Sequence, residues 1–332
     1  MTTPRHSFLP PLHDSPGSDR PTAGPDRRDG AVYVADDDLR LAVDVALATG
    51  RPLLLRGDPG SGKSSLAGYL ARNLGRRYYE HVVTARTTAR DLLWTFDPVR
   101  KLADASVRDA GGADALRDLD YVEPGVLWWA FDRASARRRG TGPEPRRPAR
   151  EPDDDLNAHR GEQGAVVLID EIDKADPDLP NGLLVPLGSG EFVVTETGDL
   201  ISATVPEADG PASNHLIVVT TNEERELPPA FLRRCVVVTL PPPGLDRLVA
   251  IAHAHVALDG VTGDGVTDTD DLLFRDLATR VLTAREEART RGRRPPSTAE
   301  YLDAVHACRR LGLAEDVPDR ARLLALVLDK SP

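Results

Sequence analysis

The chain has 332 residues and carries 53 acidic against 42 basic side chains, a formal net charge of −11. That length suffices to bury a large core, and the acidic balance argues against a protein that coats nucleic acid or an anionic membrane surface. Cys235 and Cys308 are the only cysteines, which argues against a disulfide scaffold or a multi-cysteine zinc site. No apolar run approaches the roughly 20 residues that span a bilayer, and the amino terminus lacks the apolar segment of a secretory signal. The expectation is a soluble cytoplasmic protein.

Residues 1–30 hold six prolines and no apolar period, so they read as a disordered Pro-rich tail. From residue 31, short apolar runs alternate with helical patterns. A helix is predicted over 38–48, where Leu39, Ala42, Val43, Ala46 and Leu47 share a face, and a strand over 52–55. A helix over 63–74 and a strand over 78–83 follow. At 137–163 a basic block runs into an acidic one, Glu151 to Asp155. We read this stretch as a flexible charged linker that partly neutralises itself, in preference to a nucleic-acid-binding arm. The runs at 165–169 and 216–220 are nearly all apolar and β-branched, as in parallel strands covered on both faces. A last strand fits 236–240. After Pro241, Pro242 and Pro243 the segments 245–258, 271–291, 298–312 and 319–329 all read as helices, and Ser297 with Glu300 forms a capping box for the third. The expected architecture is an α/β layered domain followed by a small helical one.

The most specific motif is Gly57, Asp58, Pro59, Gly60, Ser61, Gly62, Lys63, Ser64, with Ser65 beyond it. It follows an apolar strand and opens a helix, the context that a phosphate loop requires. Its glycines let backbone N–H groups surround a phosphate, the helix start adds a favourable dipole, Lys63 is placed to reach the β- and γ-phosphates, and the Ser64 hydroxyl to bind Mg²⁺. The strand at 165–169 ends in Asp170 and Glu171. Successive residues at a strand end point in different directions, so Asp170 is expected to hold the Mg²⁺ shell and Glu171 to act as general base toward water. The strand at 216–220 leads to Asn222, at the sheet edge where ligands bind. Arg233 and Arg234 stand just before the last strand, where an arginine is available to a neighbour's γ-phosphate.

These motifs, in this order and ahead of a helical segment, resemble an AAA+ ATPase. The phrases RPLLLRGDPG at 51–60, IDEIDKA at 169–175, NGLLVPL at 181–187 and ELPPAFLRRC at 226–235 are similar to the MoxR-like, dynein-related branch, with CbbQ and NorQ among its relatives. The resemblance covers about 31–330. It implies a P-loop core at 31–243 with a five-stranded parallel sheet, a small all-α lid at 244–332, and a homo-oligomeric ring, usually a hexamer. It also implies ATP and Mg²⁺ at subunit interfaces, Asn222 as sensor 1, and Arg234 as the finger supplied in trans, with Arg233 the alternative. The family's helix-2 insert falls at about 85–125 and a second hairpin at about 191–213. Ala299 stands where relatives usually carry the sensor 2 arginine, which leaves Arg293 or Arg294 as substitutes, or weaker γ-phosphate sensing. All three tryptophans, Trp94, Trp128 and Trp129, lie in or beside the insert. On a helix the adjacent pair would point about 100° apart; packing beneath the insert is expected, and exposure of one as a partner anchor is the alternative.

The resemblance implies a chaperone-like remodeller of protein partners, often working with a von Willebrand factor A domain protein. The alternative is an ATP-dependent regulatory switch in a bacterial signalling or conflict system. A nucleic-acid translocase fits less well with the charge of −11.

Overall fold

The computed structural model describes residues 30–108, 116–142, 145–162, 164–203, 214–259, 268–313 and 318–328. The expected tail, apart from Gly30, lies outside them, as do short parts of the insert, the linker and the second hairpin. In chain order the strands are β1 (Leu53–Arg56), β2 (Arg77–Val82), β3 (Trp94–Phe96), β4 (Val122–Pro124), β5 (Ala165–Asp170), β6 (Glu191–Val194), β7 (Asp199–Ser202), β8 (His215–Thr221) and β9 (Val236–Thr239). Five form one sheet in the order β2-β5-β8-β1-β9, with parallel pairing of β2 to β5, β5 to β8 and β8 to β1. Every residue of β5 and β8 is buried, which explains the apolar runs Ala165–Ile169 and Leu216–Val219 within them: a parallel strand covered on both faces has no solvent side. The five-stranded α/β core is the one expected from the sequence.

The described residues fall into two compact units. One comprises Asp37–Arg56 and Leu70–Val238. Its core joins Val167, Ile169 and Val219 of the sheet to Leu92, Leu127, Trp128 and Phe231. The other comprises 30–36, Gly57–Tyr69 and the chain from Thr239 onward. It contains the helices Leu245–Asp259, Asp268–Thr290, Thr298–Leu311 and Pro318–Leu328, packed around Leu248, Phe274, Leu277, Tyr301 and Val305. The capping box forms as read: the Glu300 N–H donates to Ser297 Oγ at 3.3 Å, and the Ser297 N–H to Glu300 Oε2 at 2.7 Å. Among the described residues, no helix is long and apolar enough to cross a membrane.

In the insert, β3 and β4 pair antiparallel, and just after it all six residues of the helix Val126–Phe131 are buried. Trp128 is fully enclosed and donates its indole N–H to Ser135 Oγ at 2.8 Å. Trp129 is buried too, and Trp94 stacks on Phe192 with ring centroids 5.7 Å apart. Large aromatics contribute most when enclosed and given a partner for their polar edge; none of the three is a free anchor. The second hairpin pairs Phe192 with Ile201 and Val193 with Leu200.

The stretch read as a flexible linker is a correction. It contains a helix at Asp154–Asn157, and Glu151 and Asn157 are buried. Glu151 Oε1 accepts from Arg77 Nη1 at 2.7 Å and from the Tyr79 hydroxyl at 2.9 Å, while Oε2 accepts from Arg133 Nε at 2.8 Å. Asn157 donates to the Tyr78 carbonyl at 2.9 Å and accepts from the Tyr78 N–H at 2.8 Å, so its amide serves both backbone groups of one residue on β2. Charges that look solvated in sequence are here consumed by a strand at the sheet's edge.

His215, the first residue of β8, is buried, and burial together with the nearby Arg76 guanidinium lowers its pKa from 6.5 to about 4. Between those values the unfolded chain binds a proton that the folded one rejects, so stability is full above the ordinary value and falls as pH drops toward the lowered one. His215→Gln should therefore remove about 2–3 kcal/mol of the stability lost between pH 7.5 and 4.5. Urea titrations of both proteins at the two pH values test this; equal pH losses would refute it.

Candidate functional site

β1 ends at Arg56 and the chain passes directly into the glycine-rich loop. Gly57 and Gly60 have φ of +138° and +78°, and close neighbours leave them no room for a side chain. A Cβ on Gly57 would stand 2.4 Å from the Leu240 carbonyl oxygen, and one on Gly60 would stand 2.3 Å from Ser297 Cβ. Only glycine meets both demands. Lys63 opens the helix Lys63–Asn73, is buried, and donates to the Gly57 and Asp58 carbonyls at 2.6 and 2.9 Å. Ser64 and Ser65 follow in the first turn. A curled backbone, a helix amino terminus and an enclosed ammonium fit a phosphate chain. Asp58 also lies 3.8 Å from Arg289 on the helix Asp268–Thr290, a cation that sequence spacing does not single out. Ala299 lies in the first turn of Thr298–Leu311; Arg294 lies 3.5 Å from Glu300, and Arg293 is exposed.

The acid pair and Asn222 lie together at the carboxyl ends of β5 and β8. Ile169 is in register with Val219, which sets Asp170 beside Thr220. The Thr220 hydroxyl donates to Asp170 Oδ1 at 2.6 Å and accepts the Glu171 N–H at 2.9 Å. One hydroxyl therefore holds both acids. Glu171 has φ +60° and ψ +49°, a left-handed conformation that few residues other than glycine adopt and that commonly marks functional positions. The two carboxylates take different partners: Asp170 accepts from the Thr220 hydroxyl, and Glu171 from Asn222 and Lys174. Glu171 Oε1 accepts from Asn222 Nδ2 at 3.2 Å, and Oε2 accepts from the Lys174 ammonium. That hydrogen bond raises the pKa of Lys174.

Asp173 is a member of this group that motif reading misses. It is buried, and its Oδ2 accepts the N–H groups of Asn222 at 3.1 Å and Glu224 at 2.9 Å. Between them Glu223 also takes a left-handed φ of +60°. The carboxylate thus ties the turn carrying Asn222 to the turn carrying Glu171. Nothing in the sequence separates this acid from a solvated one except its place two residues after the pair. On the far side of β8, Thr221 is in register with Arg56, the residue that precedes the phosphate loop.

Arg233 and Arg234 follow the short helix Pro229–Leu232 and are both exposed. Each bonds to its own turn, Arg233 Nε to the Pro229 carbonyl at 3.3 Å and Arg234 Nη1 to the Ala230 carbonyl at 3.2 Å. No hydrogen bond among the described residues links either to Glu171 or Asn222. Cys235 donates to the Phe231 carbonyl at 3.3 Å, and burial pushes its thiol up to about 12; it is therefore protonated at neutral pH and a poor nucleophile.

A family model for the AAA domain of the dynein-related subfamily matches residues 52–235, more than half of the chain. No curated protein matches it.

Proposed function

Since the chain belongs to the dynein-related subfamily of AAA domains, we propose that it is a MoxR-like ATPase that hydrolyses ATP and remodels protein partners as a ring. The observation that carries the reading is the arrangement at Glu171: a strand-end carboxylate in a left-handed turn, hydrogen-bonded to Asn222 and anchored through Thr220 to Asp170.

In this reading the loop at 57–65 receives the phosphates on its N–H groups, and Lys63 exchanges the Gly57 and Asp58 carbonyls for phosphate oxygens. Ser64 and Asp170 would hold Mg²⁺, which when bound would neutralise phosphate charge. Glu171 takes a proton from water as its oxygen attacks the γ-phosphorus; the bond to the bridging oxygen breaks, and ADP leaves with its electron pair. Asn222 orients Glu171 and the water. Arg234, with Arg233 as the alternative, serves a neighbouring subunit's γ-phosphate; its exposure and the lack of an acidic partner within its own turn suit that task. A hexameric homo-oligomer and a protein client, a von Willebrand factor A domain protein among the candidates, complete the proposal.

Lys63→Ala tests the nucleotide assignment. Millimolar Mg-ATP should raise the melting temperature of the parent chain by several degrees and leave the variant unmoved, because only a ligand of the folded state stabilises it. An equal rise in both proteins would remove Lys63 from the site.

One observation favours the second reading, an ATP-dependent regulatory switch. The Lys174 ammonium occupies the oxygen of Glu171 that Asn222 leaves open, an arrangement suited to slow turnover and a long-lived ATP state. A turnover number that rises when a client is added supports the remodeller; an ATP-bound assembly that outlasts client addition supports the switch.

A further inference from the structure

Arg77, Ala165 and His215 are the first residues of β2, β5 and β8, and they stand side by side in register across the sheet. With Arg133, Trp129 and Phe131 they line a cavity of about 60 Å³. It lies at the end of the strands opposite Asp170, Glu171 and Asn222. Six residues of β5 at about 3.3 Å each put the two ends roughly 17–20 Å apart.

Positive charge around this cavity exceeds the carboxylates that meet it. Glu151 is the buried counter-charge, and its two oxygens are already taken by Arg77, Tyr79 and Arg133, with Arg137 at 3.8 Å besides. Two guanidiniums and part of a third therefore share one carboxylate. Arg77 Nε is buried without a hydrogen-bond partner, and so is Nη1 of the neighbouring Arg76. The side chain of Arg76 reaches within 3.3 Å of the position that a Cβ of Gly164, another lining residue, would occupy. Glu162 is the carboxylate among the lining residues, 3.9 Å from Arg133, but its side chain is 88% exposed and well screened. Buried guanidinium donors left without acceptors are costly, and the planar fork of arginine matches an oxyanion.

We propose that this cavity is a binding site for a small oxyanion of the size of inorganic phosphate, held by Arg77 and Arg133 between the aromatic walls of Trp129 and Phe131. A space of about 60 Å³ is several times the roughly 10–15 Å³ that a single water requires, as a five-atom oxyanion needs. Burial chiefly depresses the basicity of His215, and the charge of Arg76 adds to it, in keeping with a positive potential there. The site is independent of nucleotide chemistry and stands whether or not the chain hydrolyses ATP.

The test uses the full chain carrying Lys63→Ala, so that phosphate bound at the glycine-rich loop does not report. Inorganic phosphate, titrated at constant ionic strength against chloride, should raise its melting temperature saturably by about 2–4 °C. Equilibrium dialysis with labelled phosphate should find one site per chain. Adding Ala165→Val, which fills the cavity and leaves every charge in place, should weaken binding at least tenfold, and so should Arg133→Gln. Absence of saturable phosphate binding in the Lys63→Ala protein overturns the proposal. Binding that survives both cavity substitutions undiminished overturns it as well. Should either variant fold poorly, the dialysis result on the Lys63→Ala chain decides by itself.

Discussion

Glu171→Gln is expected to abolish ATP turnover while leaving ATP bound. The amide has the shape of the carboxylate and keeps an oxygen for the Asn222 side chain, so the turn at the end of β5 is retained. What it lacks is a lone pair basic enough to take the proton from the attacking water. General-base catalysis by a positioned side chain contributes about 10²–10⁴-fold, so kcat should fall by at least two orders of magnitude. The Kd for a fluorescent ATP analogue should change less than threefold, because phosphate binding is assigned to Lys63 and the loop. Turnover within threefold of the parent would show that another group accepts the proton. The contact between Lys174 and Glu171 adds a second readout: the neutral amide no longer holds the ammonium by charge, so Lys174 should lose the elevation of its pKa that Glu171 causes.

Glu151→Ala should cost about 3–5 kcal/mol of stability, the range for removing one partner of a buried ion pair. The carboxylate is 1% exposed and meets Arg77, 8% exposed, and Arg133, 18% exposed. Its removal strands two guanidiniums and the Tyr79 hydroxyl in an enclosed region. Urea denaturation should show a lower midpoint with an unchanged slope. Glu151→Gln, which keeps one acceptor oxygen and the volume, should lose less. A loss below about 1 kcal/mol for the alanine variant would mean that water replaces the carboxylate.

That glutamate also marks where sequence reading stops. The central strands declared themselves because a parallel strand buried on both faces is apolar along its middle, as Val166, Val167, Leu168 and Ile169 are. The capping box at Ser297 and Glu300 was legible because both partners lie within four residues. Glu151, in contrast, finds Arg77 74 residues earlier in the chain, and a carboxylate within a charge run is written the same way whether water or arginine surrounds it. The site divides along the same line. Lys63, Asp170, Glu171 and Asn222 sit in motifs whose spacing reflects strand–loop–helix geometry. Asp173 and Thr220 work through backbone N–H groups or a single hydroxyl, and such partners leave no trace in residue type. The left-handed turn at Glu171 was equally silent, since the residue there is not glycine.

The amide of Asn157, which occupies both the N–H and the carbonyl of Tyr78, has a consequence for how copies of this chain can meet. An exposed strand edge is a template on which another chain can extend the sheet, and natural proteins obstruct such edges. Here the obstruction is a side chain that mimics one residue of an incoming strand and interrupts the register at Tyr78. Association through continuous strand pairing along β2 is closed off at that point. A partner meeting this edge would therefore contact side chains there and could leave again without unzipping a sheet.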